Sequence, residues 1–534
     1  MLNTINSNRT DLKSQMGFKA LNSAQKKVFN QLEHYLGEKG INEADLSLKK
    51  LMDTLHATKE NIDQKTVLVT YGGGKDSSYM TAFVRYIQLK LLKPIENNKT
   101  FNIRTITNRQ SHMPDTVMNN VHNVFIKLGM YKDKFVELFV ADDDQLTQLT
   151  KKLPIIKLPI PKNVIQRDRK DLLMAGNLTN GEGRRLYCDF CNGYMQKGEA
   201  HAITHGNGVD LIITGDSLKE IVHYKKWINN LVEFVTGKEN TQRKKGFMDY
   251  MDDINTVSKK YNEEIHGENG LNRYEMPKLA KGQKIPILYT IYGDTKYDLN
   301  SHRKLLDEFL GFKFNSDDLS FSFTESDCSA PALMAVLRGI RVEKLHNRSY
   351  EEGVKEYIDQ LALPVMKSKE FPQDLIKAQT ELYNSPKKIN NMKQKVLNFY
   401  KERLGVTEEN LTCMIYSPFA EHAKNLNLYI QKEQPELIPY NERIKQILSD
   451  SKLELNDIDN SIIKTLEQNS GITLNDMRYL YQKSLFQNKT GDSLEAIKTN
   501  NPKITDLITK FNADDPHKRN IQLPDGSYEE ISGR

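Results

Sequence analysis

Residues 66–78 read Thr-Val-Leu-Val-Thr-Tyr-Gly-Gly-Gly-Lys-Asp-Ser-Ser, and this stretch decides the fold. The β-branched run at 66–70 predicts a short strand, and the three glycines after it predict a tight turn. Apolar residues then recur at helical spacing from Tyr79 to Ile87. The stretch therefore predicts a strand, a turn and a helix in direct succession.

The same alternation of strand and helix continues along the chain. Because strands that alternate with helices form parallel sheets through right-handed crossovers, we expect an α/β, Rossmann-like (HUP-like) domain with helices on both faces of a parallel sheet. The predicted strands lie at 101–107, 135–140, 210–214 and 284–288, and the predicted helices at 116–128, 145–152, 194–205 and 300–310.

A chain of 534 residues is too long for one hydrophobic core. We predict a helical N-terminal region at 1–60, the α/β domain at 61–345 with a charged insertion at 226–282 on its rim, and a helical accessory domain at 346–534. After residue 346 we predict helices at 374–403 and 441–466, a helix start at Thr473–Asp476, no strands, and a loosely ordered end.

The composition bounds the class of protein. Apolar residues make up 38 % of the chain, and neither a membrane-spanning run nor a signal-like N-terminus is evident, so we expect a cytoplasmic protein without a membrane partner. The net charge of +6, from 76 basic and 70 acidic residues, allows a nucleic-acid partner without requiring one. Four cysteines in a chain of this size exclude a disulfide scaffold.

The loop at 72–78 has the residue types of a phosphate site. Glycines at a strand-to-helix turn let backbone N–H groups and the helix dipole face an anion, as expected for Gly72, Gly73 and Gly74. Lys75 adds a positive charge, Ser77 and Ser78 add hydroxyl groups, and Asp76 suits a Mg²⁺ ion that bridges phosphates. The order Gly-Lys-Asp-Ser is not that of a Walker loop.

These residues resemble the SGGKDS loop of the PP-loop ATP pyrophosphatases, with Gly72 in place of the first serine. The resemblance spans about residues 62–340. It implies that Thr107 and Arg109 contact the nucleoside. It also implies that Gly215 and Asp216, within Thr214-Gly-Asp-Ser217, form a second motif on the phosphate side.

The cysteines suggest a metal site. Cys188-Asp-Phe-Cys191 is predicted to lie just ahead of a helix, and Cys328 follows the last predicted strand. The residues alone leave open a zinc site shared with His201 and His205, or three unrelated thiols. The resemblance to the iron–sulfur thiolating branch (tRNA 2-thiocytidine and 2-thiouridine synthetases) implies that Cys188, Cys191 and Cys328 hold a [4Fe–4S] cluster.

The resemblance implies an enzyme that binds ATP and Mg²⁺, adenylates an acceptor carbonyl or carboxylate and releases pyrophosphate. Lys75, Asp76, Ser77 and Asp216 would take part in that step. A nucleophile then displaces AMP, and the cluster favours sulfur delivered to tRNA or a small molecule. An ammonia-using ligase or amidotransferase and a nucleotide-responsive interaction protein are the alternatives. A sulfur-donor protein and a second copy of the chain are the protein partners left open.

Overall fold

The computed structural model describes most of the chain from residue 21 to residue 485. The backbone is described for 21–93, 99–142, 145–181, 184–215, 229, 232–233, 237, 246–271, 274–291, 299–314, 330–368, 372–485, 510–511, 518–522 and 528–532. Side chains are left undescribed at 184–192 and at several other positions within helices and strands. The positions of Asp216 and Cys328 lie outside the described residues, as does most of the predicted insertion before residue 246.

A six-stranded sheet forms the centre of the α/β part. Its order is β4-β3-β2-β1-β5-β6, with all neighbours parallel except the antiparallel pair β3 and β4. The predicted α/β class with a mostly parallel sheet is therefore confirmed, and this sheet is compatible with a Rossmann-like fold. The strands are Thr66–Thr70 (β1), Asn102–Asn108 (β2), Val136–Asp142 (β3), Gln145–Gln148 (β4), Leu211–Ile213 (β5) and Ile287–Tyr289 (β6).

Helices cover both faces of this sheet. Val67 and Val69 face a core shared with the helices of the N-terminal part, whereas Leu68 and Ile106 face a smaller core under one long helix. Alternate residues of a strand point to opposite faces, which explains the near-continuous apolar run of β1. The helices are Ser23–Thr54 (α1), Lys75–Leu92 (α2), Asp115–Lys127 (α3), Lys162–Asn177 (α4), Arg184–Thr204 (α5) and Phe247–His266 (α6).

The rest of the described chain is mainly helical. Its apolar residues form one continuous core with α4, α5 and α6, so no gap in packing marks the predicted boundary near residue 345. The further helices are Glu268–Leu271, Leu299–Lys304, Ala330–His346, Tyr350–Tyr357, Leu363–Ser368, Gln373–Glu381, Pro386–Leu404, Glu408–Tyr416, Ala420–Ala423, Leu426–Glu433, Asn441–Ser449, Asp457–Ser470 and Leu474–Tyr481, with π-helical turns at Leu305–Leu310 and Ile358–Ala362 and 3₁₀ turns at Ile62–Gln64, Met130–Lys132, Ile155–Lys157 and Pro435–Tyr440.

The helix predicted at 145–152 is wrong, because this segment begins with strand β4. Gln145–Gln148 pairs with the outer side of β3, and the Leu149 N–H donates to the Leu138 carbonyl at 2.7 Å. A short polar sequence has little preference of its own, so the open edge of β3 determines its conformation.

The chain end also differs from the prediction of no strands after residue 346. Lys510–Phe511, Lys518–Gln522 and Tyr528–Ser532 form a separate antiparallel sheet. The helix start at Thr473 is confirmed, because Thr473 and Asp476 cap each other's backbone N–H groups. Within the described residues, no helix combines the length and the apolar character needed to cross a membrane.

Candidate functional site: the carboxyl edge of the sheet

The glycine loop joins the end of β1 to the start of α2. The Tyr71 N–H donates to the Ile106 carbonyl at 2.9 Å, so β1 still pairs with β2 where the loop begins. Gly73 has a φ of +85°, and a Cβ there would lie 2.8 Å from Cγ1 of Val117. Gly73 is therefore required both for its left-handed backbone and for the close approach of α3.

The outer side of the loop is open. A Cβ on Gly72 would have no atom within 4 Å, and Gly74 is the N-cap of α2, without a side chain over the helix end. The first N–H groups of a helix lack partners within the helix and carry a partial positive charge. The loop thus has the form that an anion such as a phosphate requires.

The two serines of the motif have different surroundings. The Ser78 hydroxyl is buried beneath the loop, where it donates to the Gly74 carbonyl at 2.7 Å and lies 3.0 Å from the hydroxyl of Tyr71. Burial raises the pKa of Tyr71, so this hydroxyl stays neutral. Ser77 is partly exposed, and its Oγ is 3.2 Å from the Gly74 carbonyl. Ser78 therefore supports the loop from below, and Ser77 lies on the side open to a ligand.

Lys75 and Asp76 form an ion pair in the first turn of α2. Lys75 Nζ lies 2.7 Å from Asp76 Oδ2, and both side chains are only partly exposed. A carboxylate in the first turn also interacts favourably with the helix dipole. The hard oxygen of Asp76 suits Mg²⁺, and the pair keeps the Lys75 charge beside the loop.

The end of β5 lies against this turn. A Cβ built on Gly215 would be 3.4 Å from Cβ and 3.5 Å from N of Ser77, which is ordinary van der Waals contact. Within the described part of the chain, the buried Oγ1 of the neighbouring Thr214 has no hydrogen-bond partner. The structure therefore brings Gly215 into contact with the glycine loop.

Thr107 lies near the end of β2, one residue beyond the last pair of β1 and β2. It is fully buried, and among the residues that the structure describes its Oγ1 has no hydrogen-bond partner, as is also true of Oγ of Ser111 in the following loop. Buried polar groups are normally hydrogen-bonded. Two such hydroxyls beside a phosphate-type loop are groups that a polar ligand would satisfy.

Arg109 has a different environment from the one predicted. Its guanidinium is 4 % exposed and binds both carboxylate oxygens of Asp142, at 2.8 and 2.6 Å. It also donates to the carbonyls of Leu158 and Pro159. Arg109 therefore joins the ends of β2 and β3 to the segment before α4, and these bonds, rather than a nucleoside, occupy it in the structure.

The cysteine pair lies within α5 and not ahead of it, so the predicted helix start at residue 194 is wrong. A Cβ on Gly198 would fall 1.8 Å from Oδ1 of Asn108 and 2.8 Å from Cβ of Ala141, so α5 crosses the ends of β2 and β3 at Gly198. At about 1.5 Å per residue, Cys188 lies roughly 15 Å further along the helix than Gly198.

The course of α5 shows on which side of the sheet the cysteines lie. Arg104, near the start of β2, donates to the carbonyls of Ala202 and His205 at the other end of α5. The helix therefore runs against the strand direction, and its cysteine end extends beyond the carboxyl edge, where the glycine loop is.

The zinc alternative with two cysteines and two histidines does not fit this helix. Cys188 precedes His201 by thirteen residues of continuous helix, about 20 Å. Ligands of one zinc lie within about 4 Å of each other. Among the described side chains no group of three or more His, Cys, Asp or Glu could hold a metal. The side chains of Cys188, Cys191 and Cys328 fall outside that description.

Sequence reasoning missed a buried polar cluster beside the site. Asp168 on α4 accepts from the Ser111 N–H at 2.8 Å and pairs with Arg167 at 2.7 Å. The guanidinium of Arg167 lies 3.7 Å from the centre of the Tyr194 ring on α5. The cluster therefore joins the loop after β2 to α4 and α5. In the local sequence, the only signal of this cluster was the basic stretch at 167–170.

Fold and site together define an α/β protein with a glycine-rich loop at the carboxyl edge of a mostly parallel sheet, the place where open parallel sheets bind ligands. No protein-family model matches the chain, and no curated protein sequence matches it either.

Proposed function

We propose that this protein is an ATP pyrophosphatase that binds ATP and Mg²⁺ at the carboxyl edge and adenylates an acceptor. The observation that carries the proposal is the open glycine loop at the N-terminus of α2, in contact with the end of β5 through Ser77 and Gly215. A glycine turn of this form supports the proposal independently of any resemblance, because its backbone N–H groups and the helix dipole favour an anion.

The residues of the loop account for the first step. An acceptor oxygen attacks the α-phosphorus of ATP, and the bond to the β-phosphate breaks with release of pyrophosphate. Backbone N–H groups of 72–77, the charge of Lys75 and the hydroxyl of Ser77 would stabilise the leaving group. Asp76 would hold the Mg²⁺ that neutralises the phosphates. Asp216 would also take part in this adenylation step, as the resemblance implies.

We propose that the nucleoside of ATP lies at the carboxyl ends of β2 and β5. The partnerless hydroxyls of Thr107 and Thr214 are at the ends of β2 and β5, on either side of β1. A ribose or base could satisfy both. Gly215, without a side chain, leaves room beside Ser77. Arg109 would act by holding the ends of β2 and β3 in place.

The second step would deliver a nucleophile that displaces AMP. The position of Cys188 and Cys191, beyond the same edge as the glycine loop, favours sulfur over ammonia. With Cys328 they would hold a [4Fe–4S] cluster, which supplies an iron site for sulfide when bound. An ammonia-using ligase is the alternative. With either nucleophile, the acceptor would be a tRNA or a small molecule.

The direct test is the products formed from ATP. We expect AMP and pyrophosphate in equal amounts once an acceptor is supplied. The rate at which they form should fall roughly 10²- to 10³-fold in Lys75→Ala and in Ser77→Ala. Lys93→Ala, at the far end of the same helix, is the matched control and should keep its turnover. ADP and phosphate as products would contradict the proposal. ATP binding without turnover would favour an interaction protein.

The cluster has a separate test. Protein purified without oxygen should contain roughly four irons and four acid-labile sulfides per chain. Cys188→Ala and Cys191→Ala should lose them, whereas Cys413→Ala should not. Pyrophosphate release with no iron in the wild-type protein would favour the ligase.

A further inference from the structure

A surface on the side of the sheet where β3 and β4 lie combines lysines with exposed aliphatic side chains. We call it the basic flank. Its aliphatic members are Ile126, Leu153 and Ile156, which are 53 %, 40 % and 46 % exposed. Its lysines, all exposed, are Lys127, Lys132, Lys134, Lys151, Lys152 and Lys157.

Three segments bring these residues together. The end of α3 packs against the turn Ile155–Lys157, and the hydroxyl of Tyr131 is hydrogen-bonded to the backbone of Ile155. The turn that carries Leu153 is closed by two backbone hydrogen bonds between Thr150 and Leu153. The flank is therefore a continuous, ordered surface built from α3, the start of β3 and the chain after β4.

The charge of the flank is uncompensated. None of its six lysines forms an ion pair in the described part of the chain, whereas Lys90, Lys99 and Lys284 each pair with an aspartate. Residues 116–132 and 145–163 contain no Asp or Glu. Asp133, between Lys132 and Lys134, has a side chain that is 2 % exposed and that pairs with Arg85. A positive field over exposed apolar groups is therefore built into this surface.

The flank extends along the outer side of the sheet, from the edge opposite the glycine loop toward the carboxyl edge. Residues 132 and 134 precede β3, and Leu149 pairs with Leu138 near the beginning of that strand. The turn Ile155–Lys157 is followed by Leu158, whose carbonyl accepts from Arg109 just after the end of β2.

We propose that the basic flank binds the surface of an anionic lipid bilayer. Lysines are attracted to anionic headgroups, and the aliphatic side chains between them can enter the boundary of the acyl chains. Single-stranded nucleic acid would instead call for aromatic side chains on which bases stack, and the exposed apolar residues of the flank are all aliphatic. This departs from the sequence-based expectation of no membrane partner, and it is independent of the proposed reaction.

The experiment is sedimentation of the full chain with vesicles of phosphatidylcholine alone or with 30 mol % phosphatidylglycerol, a proportion of the order found in anionic membranes. We expect binding only to the anionic vesicles, and weaker binding at high salt. Lys151→Ala/Lys152→Ala should weaken it by roughly 30-fold. Leu153→Ser/Ile156→Ser should also weaken binding to the anionic vesicles, although this change leaves the charge of the protein unaltered.

Matched pairs on the helical part are the controls. Lys452→Ala/Lys464→Ala removes the same charge, and Leu455→Ser/Ile458→Ser removes aliphatic groups of similar exposure, 38 % and 56 %. Both should bind like the wild type. Equal binding to neutral and anionic vesicles, or equal losses in the control pairs, would overturn the proposal. So would an RNA hairpin that binds through Lys151 and Lys152 while anionic vesicles do not bind.

Discussion

A Cβ built on Gly215 would lie 3.4 Å from Cβ of Ser77, so the end of β5 touches the first turn of α2. Two segments that are distant in the sequence thereby meet beside the glycine loop. Because residue 215 has no side chain, the size of the residue at this position should control access to the loop.

The first prediction concerns the contact between Gly215 and Ser77. Gly215→Ala adds a Cβ at ordinary contact distance, so it should keep both stability and most of the pyrophosphate release. Gly215→Leu places a large side chain beside Ser77 and should reduce release about 100-fold, because misplacing a substrate by 1 Å has effects of this size. Thermal unfolding of both variants provides the control. A fully active Leu variant would exclude this contact as part of the phosphate site.

The second prediction concerns the pair of Lys75 and Asp76, whose charged atoms lie 2.7 Å apart. Asp76→Asn removes the carboxylate that restrains Lys75 and that would hold Mg²⁺. We therefore expect tighter binding of pyrophosphate in EDTA but a higher Mg²⁺ requirement for turnover, measured by calorimetry and by Mg²⁺ titration. The exposed Asp53→Asn should change neither. Weaker binding of pyrophosphate in EDTA, or a lower Mg²⁺ requirement for turnover, would contradict the assigned role of Asp76.

The third prediction concerns the crossing of α5 over the sheet at Gly198. Gly198→Ala would place a Cβ within 1.8 Å of Asn108 and 2.8 Å of Ala141, so α5 must shift. We expect a loss of about 1–3 kcal/mol in the free energy of unfolding. Gly198→Ala/Asn108→Gly should recover part of it. Chemical denaturation measures both, and additive losses in the double variant would show that the two residues do not compete for space.

The fourth prediction is a pH dependence of stability. Burial raises the pKa of Asp133, but the charge of Arg85 and hydrogen bonds from Gln25 and the Phe135 backbone outweigh it, so the pKa is lowered on folding. A carboxylate of this kind stabilises the fold above its unfolded pKa of about 4, and that stability is lost as the pH falls through the folded pKa.

Asp133→Asn should therefore flatten the acid limb of the unfolding curve below about pH 5. It should also cost about 3 kcal/mol at neutral pH, since Arg85 stays buried without its partner. Urea midpoints against pH give both values. Asp450→Asn, at an exposed site, is the control, and an unchanged acid limb in Asp133→Asn would assign the pH dependence to other groups.

The fifth prediction distinguishes the cysteines. Cys413 is fully buried, and burial raises its pKa to about 12, so at neutral pH it is a neutral thiol without access to reagents. Native protein should leave Cys413 unlabelled by iodoacetamide, and denatured protein should label it fully. Peptide mapping by mass spectrometry measures this. Rapid native labelling of Cys413 would show that the helical core opens locally.

Much of the fold could be predicted from local pattern. The β-branched runs of β1, β2 and β3 and the helical spacing of α1, α2 and α3 identify those elements, because burial of apolar faces leaves a period of two or of 3.6 in the sequence. Polar segments leave no such period. Gln145–Gln148 became a strand only because β3 offers it an open edge.

The sequence by itself determined the loop: three glycines, Lys75, Asp76 and Ser77 between a strand and a helix define a phosphate-type turn through local backbone geometry alone. Tertiary structure decided which distant residues join it. It brought Gly215 to Ser77, took Arg109 into a buried pair with Asp142, and separated Cys188 from His201 along one helix. Such contacts depend on how strands are ordered and helices packed, and that information is distributed over the whole chain rather than held in any motif.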